Sequence, residues 1–426
     1  MKQIFLFVLA AFFAATSLQA QSPYGFRGPT RTGFYPESGL LKTWPEEGPQ
    51  LLWETADVGK GYSSPVIVGD RLYVTGLNED GNKEVFKAYT LDGKKVYETI
   101  YGTPWDKSYP DTRSTPTIYE NKAFIISGIG DVACINITNG NIMWNVVASA
   151  LGIKFGSWGA SESPLVFDNK VIFTPCGDQT SMVALNITSG EIVWKTESLG
   201  DPVNYASPVL ITHNGKKQII AITGLHIIGV NPETGKIEWK FSEWGREYWK
   251  KMTPDARLAS EESTTPCAPM YRNGRIFITS GYDFGSFMLQ LNADATAVDL
   301  VWRNNEFDNH HGGVVLVNGT LYGTNWISNS QGNWMAVDWN SGATKYDTPW
   351  GDGKGKGAII TADNMLYCYD ERRGTVGLVK PNPEKFDVVS EFRITKGEGP
   401  HWAHPVIDKG ILYIRHGSVL MAYKIK

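Results

Sequence analysis

The chain has 426 residues and a formal net charge of −4, with 42% hydrophobic and 20% charged residues. This composition supports a packed core and excludes a largely disordered chain. The acidic balance argues against a nucleic-acid-binding protein, which would need clustered Lys and Arg. Glycine at 45 positions and an aromatic content of 12% predict many turns and many strands.

The first 20 residues predict a cleaved secretory signal peptide. Lys2 supplies positive charge, and residues 4–15 form an apolar run that is too short to span a bilayer. Ala20 offers a small residue at the cleavage site, so the mature chain is predicted to start near Gln21. A membrane anchor is the alternative interpretation. No later segment is apolar enough to span a membrane, and we therefore expect a periplasmic or secreted protein.

One phrase recurs along the chain: an apolar strand, a polar residue, a glycine turn and a short strand that ends in an aromatic residue. Clear copies end at Trp144, Trp194, Trp239 and Tyr346, and weaker copies end at Tyr97, Trp302 and Phe392. Because the aromatic residue recurs in the same slot, we predict that it packs between neighbouring repeats rather than binding a ligand.

A second phrase marks the start of each repeat: a small hydroxyl residue, then Pro and a β-rich run at five repeats, with degenerate versions at Gly312-Gly313, Lys356-Gly357 and His404-Pro405. It recurs eight times, at Pro65, Pro116, Pro164, Pro208, Pro266, Gly313, Gly357 and Pro405. The intervals run from 44 to 58 residues, with a mean of about 49. In the second repeat the predicted strands cover residues 117–119, 123–127, 132–135 and 142–144. Four strands in a repeat of this length are typical of a β-propeller.

The two ends of the chain predict a closed ring. The last repeat supplies only three strands, at residues 405–407, 411–415 and 419–423. The missing strand with its terminal aromatic residue occurs near the start, at Leu51, Leu52 and Trp53. We therefore predict an all-β, eight-bladed β-propeller, formed by residues 21–426 as one domain, in which an N-terminal strand completes the last blade. Closure also removes two exposed sheet edges.

The repeat phrase, with Asn136 or Asn186 before the glycine turn and a terminal Trp, resembles the quinoprotein (PQQ-like) propeller repeat. The resemblance covers nearly the whole mature chain. A second segment resembles the leader of exported PQQ-like propeller proteins of bacteria; it reads Phe26-Arg27-Gly28-Pro29-Thr30-Arg31-Thr32-Gly33. That family includes quinone-dependent alcohol dehydrogenases and the non-enzymatic propeller of the machine that assembles outer-membrane β-barrels. The resemblance implies a quinoprotein-like fold, which many activities share.

The chain departs from both kinds of family member. The dehydrogenases carry an adjacent pair of cysteines beneath the quinone and often a Cys-x-x-Cys-His haem site. Neither pattern occurs here, so no haem is expected, and the assembly-machine propeller's anchoring cysteine is also missing. The four cysteines are scattered and predicted to be buried free thiols; they are Cys134, Cys176, Cys267 and Cys368.

Propellers commonly bind ligands where their innermost strands converge, so the residues before each repeat start are the candidate ligand site. They form a polar and aromatic ring around the predicted channel mouth. The candidates are Tyr62, Arg113, Trp158, Glu162, Tyr205, Glu262, His310, His311, Lys354, Lys356, His401, Trp402, His404 and Arg415. A purely structural pore is the alternative, because opposite charges in one funnel can simply neutralise each other.

Five of the seven histidines fall in the last three repeats. The loops that carry His311 and His404 are separated by one repeat, and with Glu262 they predict a candidate site for a divalent metal. Hydrogen-bonded loop histidines without a metal are the alternative. A neutral histidine near Arg113, Lys354 or Lys356 would also suit general-base catalysis of elimination from an acidic polysaccharide.

The longest interval between repeat starts contains an insertion at residues 241–262 that is rich in aromatic and basic residues. It predicts either a lid or partner surface, or a long loop that packs on itself. From the whole sequence we predict an exported scaffold that binds a protein, peptide or glycan partner. The alternative is an enzyme at the channel mouth, either a quinone-dependent oxidoreductase that binds PQQ or a metal-assisted enzyme that acts on polysaccharides.

Overall fold

The structure is a computed structural model that describes residues 23–244, 264–351 and 353–426. The predicted signal peptide at residues 1–20 lies outside this part of the chain. The described residues form β-sheets and one short 3-10 helix, η1 (Ala148–Leu151). None of the described helices is long and apolar enough to cross a membrane.

Two strands precede the repeats, β1 (Phe34–Tyr35) and β2 (Gln50–Thr55). Blade 1 consists of β3 (Val66–Val68), β4 (Arg71–Leu77), β5 (Glu84–Thr90) and β6 (Lys95–Gly102). Blade 2 consists of β7 (Thr117–Tyr119), β8 (Lys122–Ile126), β9 (Val132–Asn136) and β10 (Ile142–Val146). Blade 3 consists of β11 (Leu165–Phe167), β12 (Lys170–Phe173), β13 (Val183–Asn186) and β14 (Ile192–Lys195). Blade 4 consists of β15 (Val209–His213), β16 (Lys216–Ile222), β17 (Ile227–Val230) and β18 (Ile237–Phe241).

The second half of the ring follows the same plan. Blade 5 consists of β19 (Met270–Arg272), β20 (Arg275–Thr279), β21 (Ser286–Leu291) and β22 (Val298–Asn304). Blade 6 consists of β23 (Val315–Val317), β24 (Thr320–Thr324), β25 (Trp334–Asp338) and β26 (Thr344–Thr348). Blade 7 consists of β27 (Gly357–Ala362), β28 (Met365–Asp370), β29 (Thr375–Lys380) and β30 (Asp387–Arg393). Blade 8 combines β31 (Val406–Asp408), β32 (Ile411–His416) and β33 (Val419–Lys424) with β2.

Eight antiparallel sheets of this kind confirm the predicted eight-bladed β-propeller. The first strands of neighbouring blades touch, as β3 does with β7 and β7 with β11, so they are the inner strands around the channel. In an antiparallel blade, the loop before the inner strand and the loop between the second and third strands open on the same side. We call this side the mouth face.

The predicted closure of the ring is confirmed. Strand β2 pairs antiparallel with β33, with Gln50 opposite Lys424 and Trp53 opposite Ala422. It is the outermost strand of blade 8. The N-terminal segment therefore holds together a blade whose other strands end the chain.

The outermost strand of every blade carries a bulge where it pairs with the third strand. In blade 2 the bulge leaves Met143 without a partner between Ile142 and Trp144. Two successive apolar residues, Ile142 and Met143, therefore face outward, while Trp144 turns into the interface with blade 3. Bulges also twist an edge strand away from pairing with other chains.

The recurrent aromatic residues pack between blades, as predicted. The Trp144 indole lies on Gly190 of blade 3 and donates a 3.2 Å hydrogen bond to the Ile187 carbonyl. The same contact to the next blade recurs, with hydrogen bonds of 2.7, 3.0 and 3.2 Å, at Trp53, Trp194 and Trp302. Glycine has two roles in these turns, because it adopts positive φ and leaves room for the ring.

The interface between blades 4 and 5 lacks this glycine. Ala295 of blade 5 occupies the turn with φ 55, and the Trp239 ring packs on Gly229 of its own blade instead. The Trp239 indole donates a 2.8 Å hydrogen bond to Gln218, whose amide donates at 2.9 Å to the Ala295 carbonyl. The Gln218 side chain thus connects these two blades through its hydrogen bonds.

We expect Gly190→Ala to destabilise the protein more than Gly215→Ala does. Both glycines have positive φ, but a Cβ at Gly190 would lie 2.8 Å from the Trp144 ring, whereas nothing lies within 4 Å of one at Gly215. Backbone strain costs each variant about 1–2 kcal/mol, and overpacking adds about 1–3 kcal/mol at Gly190. Urea unfolding followed by tryptophan fluorescence measures the difference, and equal losses would contradict this account of the blade interface.

Candidate functional site

A cavity of about 280 Å³ opens at the centre of the mouth face, and we call it the cup. It brings together nine of the residues predicted from the sequence. They are Tyr62, Arg113, Trp158, Tyr205, His310, His311, Lys356, Trp402 and His404. Most come from the loops before the inner strands, which is why positions far apart in sequence meet here.

Two predicted residues, Lys354 and His401, lie outside the cup. The Lys354 ammonium pairs with Glu391 at 2.9 Å, on the outermost strand of blade 7. The His401 ring is buried, bonds to the Tyr369 hydroxyl at 2.6 Å, and stacks on His416 with ring centroids 3.6 Å apart. Both side chains therefore serve contacts within and between the last two blades.

Arg415 is also away from the cup and is fully buried. Its guanidinium donates hydrogen bonds of 2.8–3.0 Å to the carbonyls of Gly59, Ser63 and Thr75. These acceptors belong to blade 1 and the segment before it, whereas Arg415 lies in blade 8. Arg415 thus fastens the two blades between which the ring closes.

Glu162 is buried beside the cup but does not line it. Its carboxylate accepts hydrogen bonds from the Thr174 backbone N–H at 2.7 Å and from the Thr174 hydroxyl. The side chain is therefore directed into its own blade. The remaining predicted residue, Glu262, and most of the insertion at residues 241–262 lie outside the described part of the chain.

The sequence analysis missed three aromatic residues of the cup: Phe26, Tyr109 and Tyr282. Tyr109 lies in the loop before blade 2, four residues ahead of Arg113. Tyr282 lies in the loop between β20 and β21, a loop type that also opens on the mouth face. The alternation of loops in a propeller was a usable signal for Tyr282, but the sequence analysis followed only the loops before the inner strands.

The aromatic rings of the cup form a nearly continuous wall. Neighbouring ring centroids lie 4.6–6.0 Å apart along a series that runs Trp158, Tyr109, Trp402, His311, His310 and Tyr282. Tyr62 adds to the wall at 4.9 Å from Trp402. Such spacing is that of favourable ring–ring contacts, so the wall is preorganised.

Residues 24–33, which we call the leader, cross the channel beneath this wall. Tyr24 pairs with Ile118 of blade 2, and the Arg31 guanidinium donates to the carbonyls of Ser163, Pro164 and Pro208 in blades 3 and 4. These carbonyls lie just before the inner strands. The leader therefore reaches the inner edge of three blades from a single side of the channel.

Arg27 binds the blades on the opposite side of the channel. Its guanidinium donates to the carbonyls of Val314 at 2.7 Å and Ile359 at 3.1 Å, and to the His404 ring at 2.9 Å. A Cβ at Gly313 would lie only 1.8 Å from this guanidinium, so glycine at this start of blade 6 makes room for the leader.

The chain then continues as β1, which pairs in parallel with β27. Phe26 lines the cup, and its ring centroid lies 5.0 Å from that of His404. The leader thus supplies the floor of the cup, and the channel is closed beneath it.

The cup histidines are neutral at physiological pH. Burial lowers the pKa of His310 and of His404 to about 3, and burial together with His310 lowers the pKa of His311 well below its usual range. His404 accepts a hydrogen bond from Arg27 at Nδ1 and donates one of 2.8 Å from Nε2 to the His311 carbonyl. Both of its ring nitrogens are engaged.

The described residues include no group of three or more His, Cys, Asp or Glu side chains that could hold a metal. Because the His404 ring has no free nitrogen and Glu262 is outside the described residues, we do not carry the metal site at His311 and His404 into the proposed function. All four cysteines are buried free thiols.

The positive charge of Lys356 is paired with a buried carboxylate. Its ammonium forms an ion pair with the buried Glu371 and donates to the carbonyls of Ser328 and Asn329 at 3.0 and 2.8 Å. The other oxygen of Glu371 lies 3.3 Å from Nε2 of His311. The Glu371 carboxylate thus lies between the Lys356 ammonium and the His311 ring.

We expect the buried Glu162 carboxyl to make the protein less stable as the pH rises. Burial raises the pKa of Glu162 to about 7 although Thr174 donates to it. The folded state thus binds this proton more tightly than the unfolded state, so the stabilisation is complete below about pH 4.5 and lost as the pH rises through 7. Urea unfolding of Glu162→Gln should show up to roughly 2–3 kcal/mol less pH dependence between pH 5 and 8.

Glu120→Gln is the matched control, because Glu120 is exposed on the surface. That variant should keep the pH dependence of the unmodified protein. A Glu162→Gln protein whose stability changes with pH as steeply as the control would refute the assignment.

The fold and the cup define a class: an eight-bladed propeller of PQQ-like repeats with a cavity at the centre of its mouth face. Within this class the chain belongs to the family described as outer membrane protein assembly factor BamB, whose model matches residues 34–151 and 103–348. It is 28% identical over 183 residues to BamB of Legionella pneumophila and 29% identical over 195 residues to BamB of Burkholderia pseudomallei. The matches span 42% and 45% of each chain, less than half the length of these curated relatives.

Solved structures share the fold. BamB from Moraxella catarrhalis superposes with a TM-score of 0.59 at 13% identity, over 88% of this chain and 98% of that one. A quinohemoprotein alcohol dehydrogenase from Comamonas testosteroni superposes with a TM-score of 0.64 at 13% identity, over 93% of this chain and 79% of that one. At this identity the likeness concerns architecture alone.

Proposed function

We propose that the chain is an exported scaffold that binds a partner, and that the cup is the place where it holds that partner. The observation that carries this proposal is the combination of a wall of part-exposed aromatic rings with a floor closed by the leader. A cavity of this kind retains a ligand rather than conducting one through the channel, and preorganised aromatic pockets are typical of binding sites.

The relatives support the scaffold function in general terms. Those with a described role are named as outer membrane protein assembly factors, which are components that act by contact with other proteins. A partner protein, a peptide segment of it, or a glycan would each reach the cup from the mouth face. Export would place the scaffold in the periplasm or outside the cell, after removal of residues 1–20.

We expect the chain, expressed with its own N-terminus in a Gram-negative host, to appear in the periplasm or medium. Cleavage of the apolar run should give a mature protein that starts near Gln21. Cell fractionation and the intact mass of the purified protein measure this outcome. A full-length chain that stays in the cytoplasm would rule out export.

We expect replacement of the wall rings to abolish ligand binding without unfolding the propeller. The double variant Tyr109→Ala and Trp402→Ala removes two part-exposed rings of the cup. The control, Ile192→Ala and Val193→Ala, removes two exposed side chains from the outermost strand of blade 3. A phage-displayed peptide library and a glycan array serve as probes, and thermal unfolding verifies folding.

Ligands retained by the unmodified protein and the control, but lost by the cup variant, would support the proposal. Ligands that the cup variant still retains would place the binding surface elsewhere. A protein that retains nothing from either probe would also contradict a binding role for the cup.

A further inference from the structure

Arg113 places a guanidinium in the lining of the cup. Its Nη2 donates to the carbonyls of Ser108 and Tyr109, at 2.5 and 2.7 Å, whereas its buried Nη1 has no hydrogen-bond partner among the described residues. A buried guanidinium N–H without an acceptor is unfavourable, so this group favours a ligand that brings one.

The neighbouring charges leave that cation in place. Lys356 is neutralised by Glu371, and the cup histidines are uncharged. Burial raises the pKa of Glu84, the largest charge influence on Arg113, to about 8, so this carboxyl is mostly protonated at neutral pH. Asp111, which is outside the cup lining, hydrogen-bonds to the Tyr62 hydroxyl and also attracts Arg113.

The described lining of the cup contains no carboxylate. The cup therefore attracts an anionic group, and in a partly buried cavity that attraction is stronger than in water.

The remaining surface of the cup combines flat rings with hydroxyl groups. The rings of Tyr62, Tyr109 and Trp158 lie on the same side as Arg113, in the loops before blades 1 to 3. Hydroxyl side chains line the cavity as well, at Thr115, Ser161, Ser163, Ser207 and Thr264. Sugars suit such a surface, because their C–H faces pack on aromatic rings while their edges exchange hydrogen bonds with hydroxyls.

We infer that the cup binds the end of an acidic carbohydrate chain, with a terminal uronic acid whose carboxylate faces Arg113 and whose ring packs on the aromatic wall. The inference rests on the proposed function, since it names the ligand of the same cavity. The floor formed by Phe26 and the leader determines that the chain enters by its end, because a polysaccharide cannot thread past it. A guanidinium is well suited to a carboxylate, which accepts its N–H groups directly.

The test compares two ligands that differ only at their carboxyl groups. Isothermal titration of the unmodified protein with digalacturonic acid and with its carboxyl-reduced, neutral counterpart requires no substitution that could disturb the fold. We expect the acid to bind at least tenfold more tightly, as for loss of one hydrogen bond to a charged group. The advantage should shrink as salt is added.

Substitution at the cation provides the second comparison. Arg113→Met should bring the affinity for the acid down to that for the neutral disaccharide and leave the neutral affinity within threefold. Lys217→Met is the matched control, since Lys217 is an exposed cation whose Nζ lies 4.7 Å from the Phe167 ring centroid, outside the cup. It should leave both affinities unchanged.

Several outcomes would overturn the inference. Equal affinities for the acid and its neutral counterpart would do so, as would tighter binding of PQQ or of a tetraglutamate peptide. Suppose that the neutral disaccharide binds as tightly as the acid and that Trp402→Ala abolishes its binding. The inferred acidic ligand is then wrong, but the cup remains a binding site. If none of the four probes binds, the inference fails, whereas the proposed function fails only if the peptide library and the glycan array also give no ligand.

Discussion

The contact between an aromatic ring and a glycine of the next blade is the interaction on which the whole propeller depends. Trp144 is the example: its ring packs on Gly190, and its indole N–H also donates a hydrogen bond to the same blade. A wedge-shaped blade cannot bury both of its faces alone, so each sheet is stable only against its neighbours. Repetition of this contact at most blade interfaces sets the angle between blades, and hence the width of the channel that becomes the cup.

The leader converts that channel into a closed cavity. Arg31 satisfies three carbonyls and Arg27 one carbonyl that lie just before the inner strands, where the blades converge and no further strand is available to pair with them. Two guanidinium groups thus replace part of a missing hydrogen-bond ladder. The same residues position Phe26 at the floor of the cup and engage His404, so the floor and one wall of the cup form a single unit.

Repetition explains how much of this molecule is predictable from its sequence. The strands of blade 2 lie within two residues of the predicted ones, and Leu51, Leu52 and Trp53 close the ring, because the same phrase marks each unit. The cup was predicted less completely. A position before an inner strand does not determine the side-chain direction, and Glu162 turns toward Thr174 instead of the channel. The leader has no repeat to align with, so its path was not predictable.

The pairing of Gln50 with Lys424 has a consequence for how the molecule is made. A chain synthesised from its N-terminus displays β2 early, but the partner of that strand is among the last residues to leave the ribosome. Until then seven blades form an open arc with apolar sheet faces at both ends, a state prone to misassembly. A chain cut short before β33 would leave β2 without its partner strand and the ring without its closing contact.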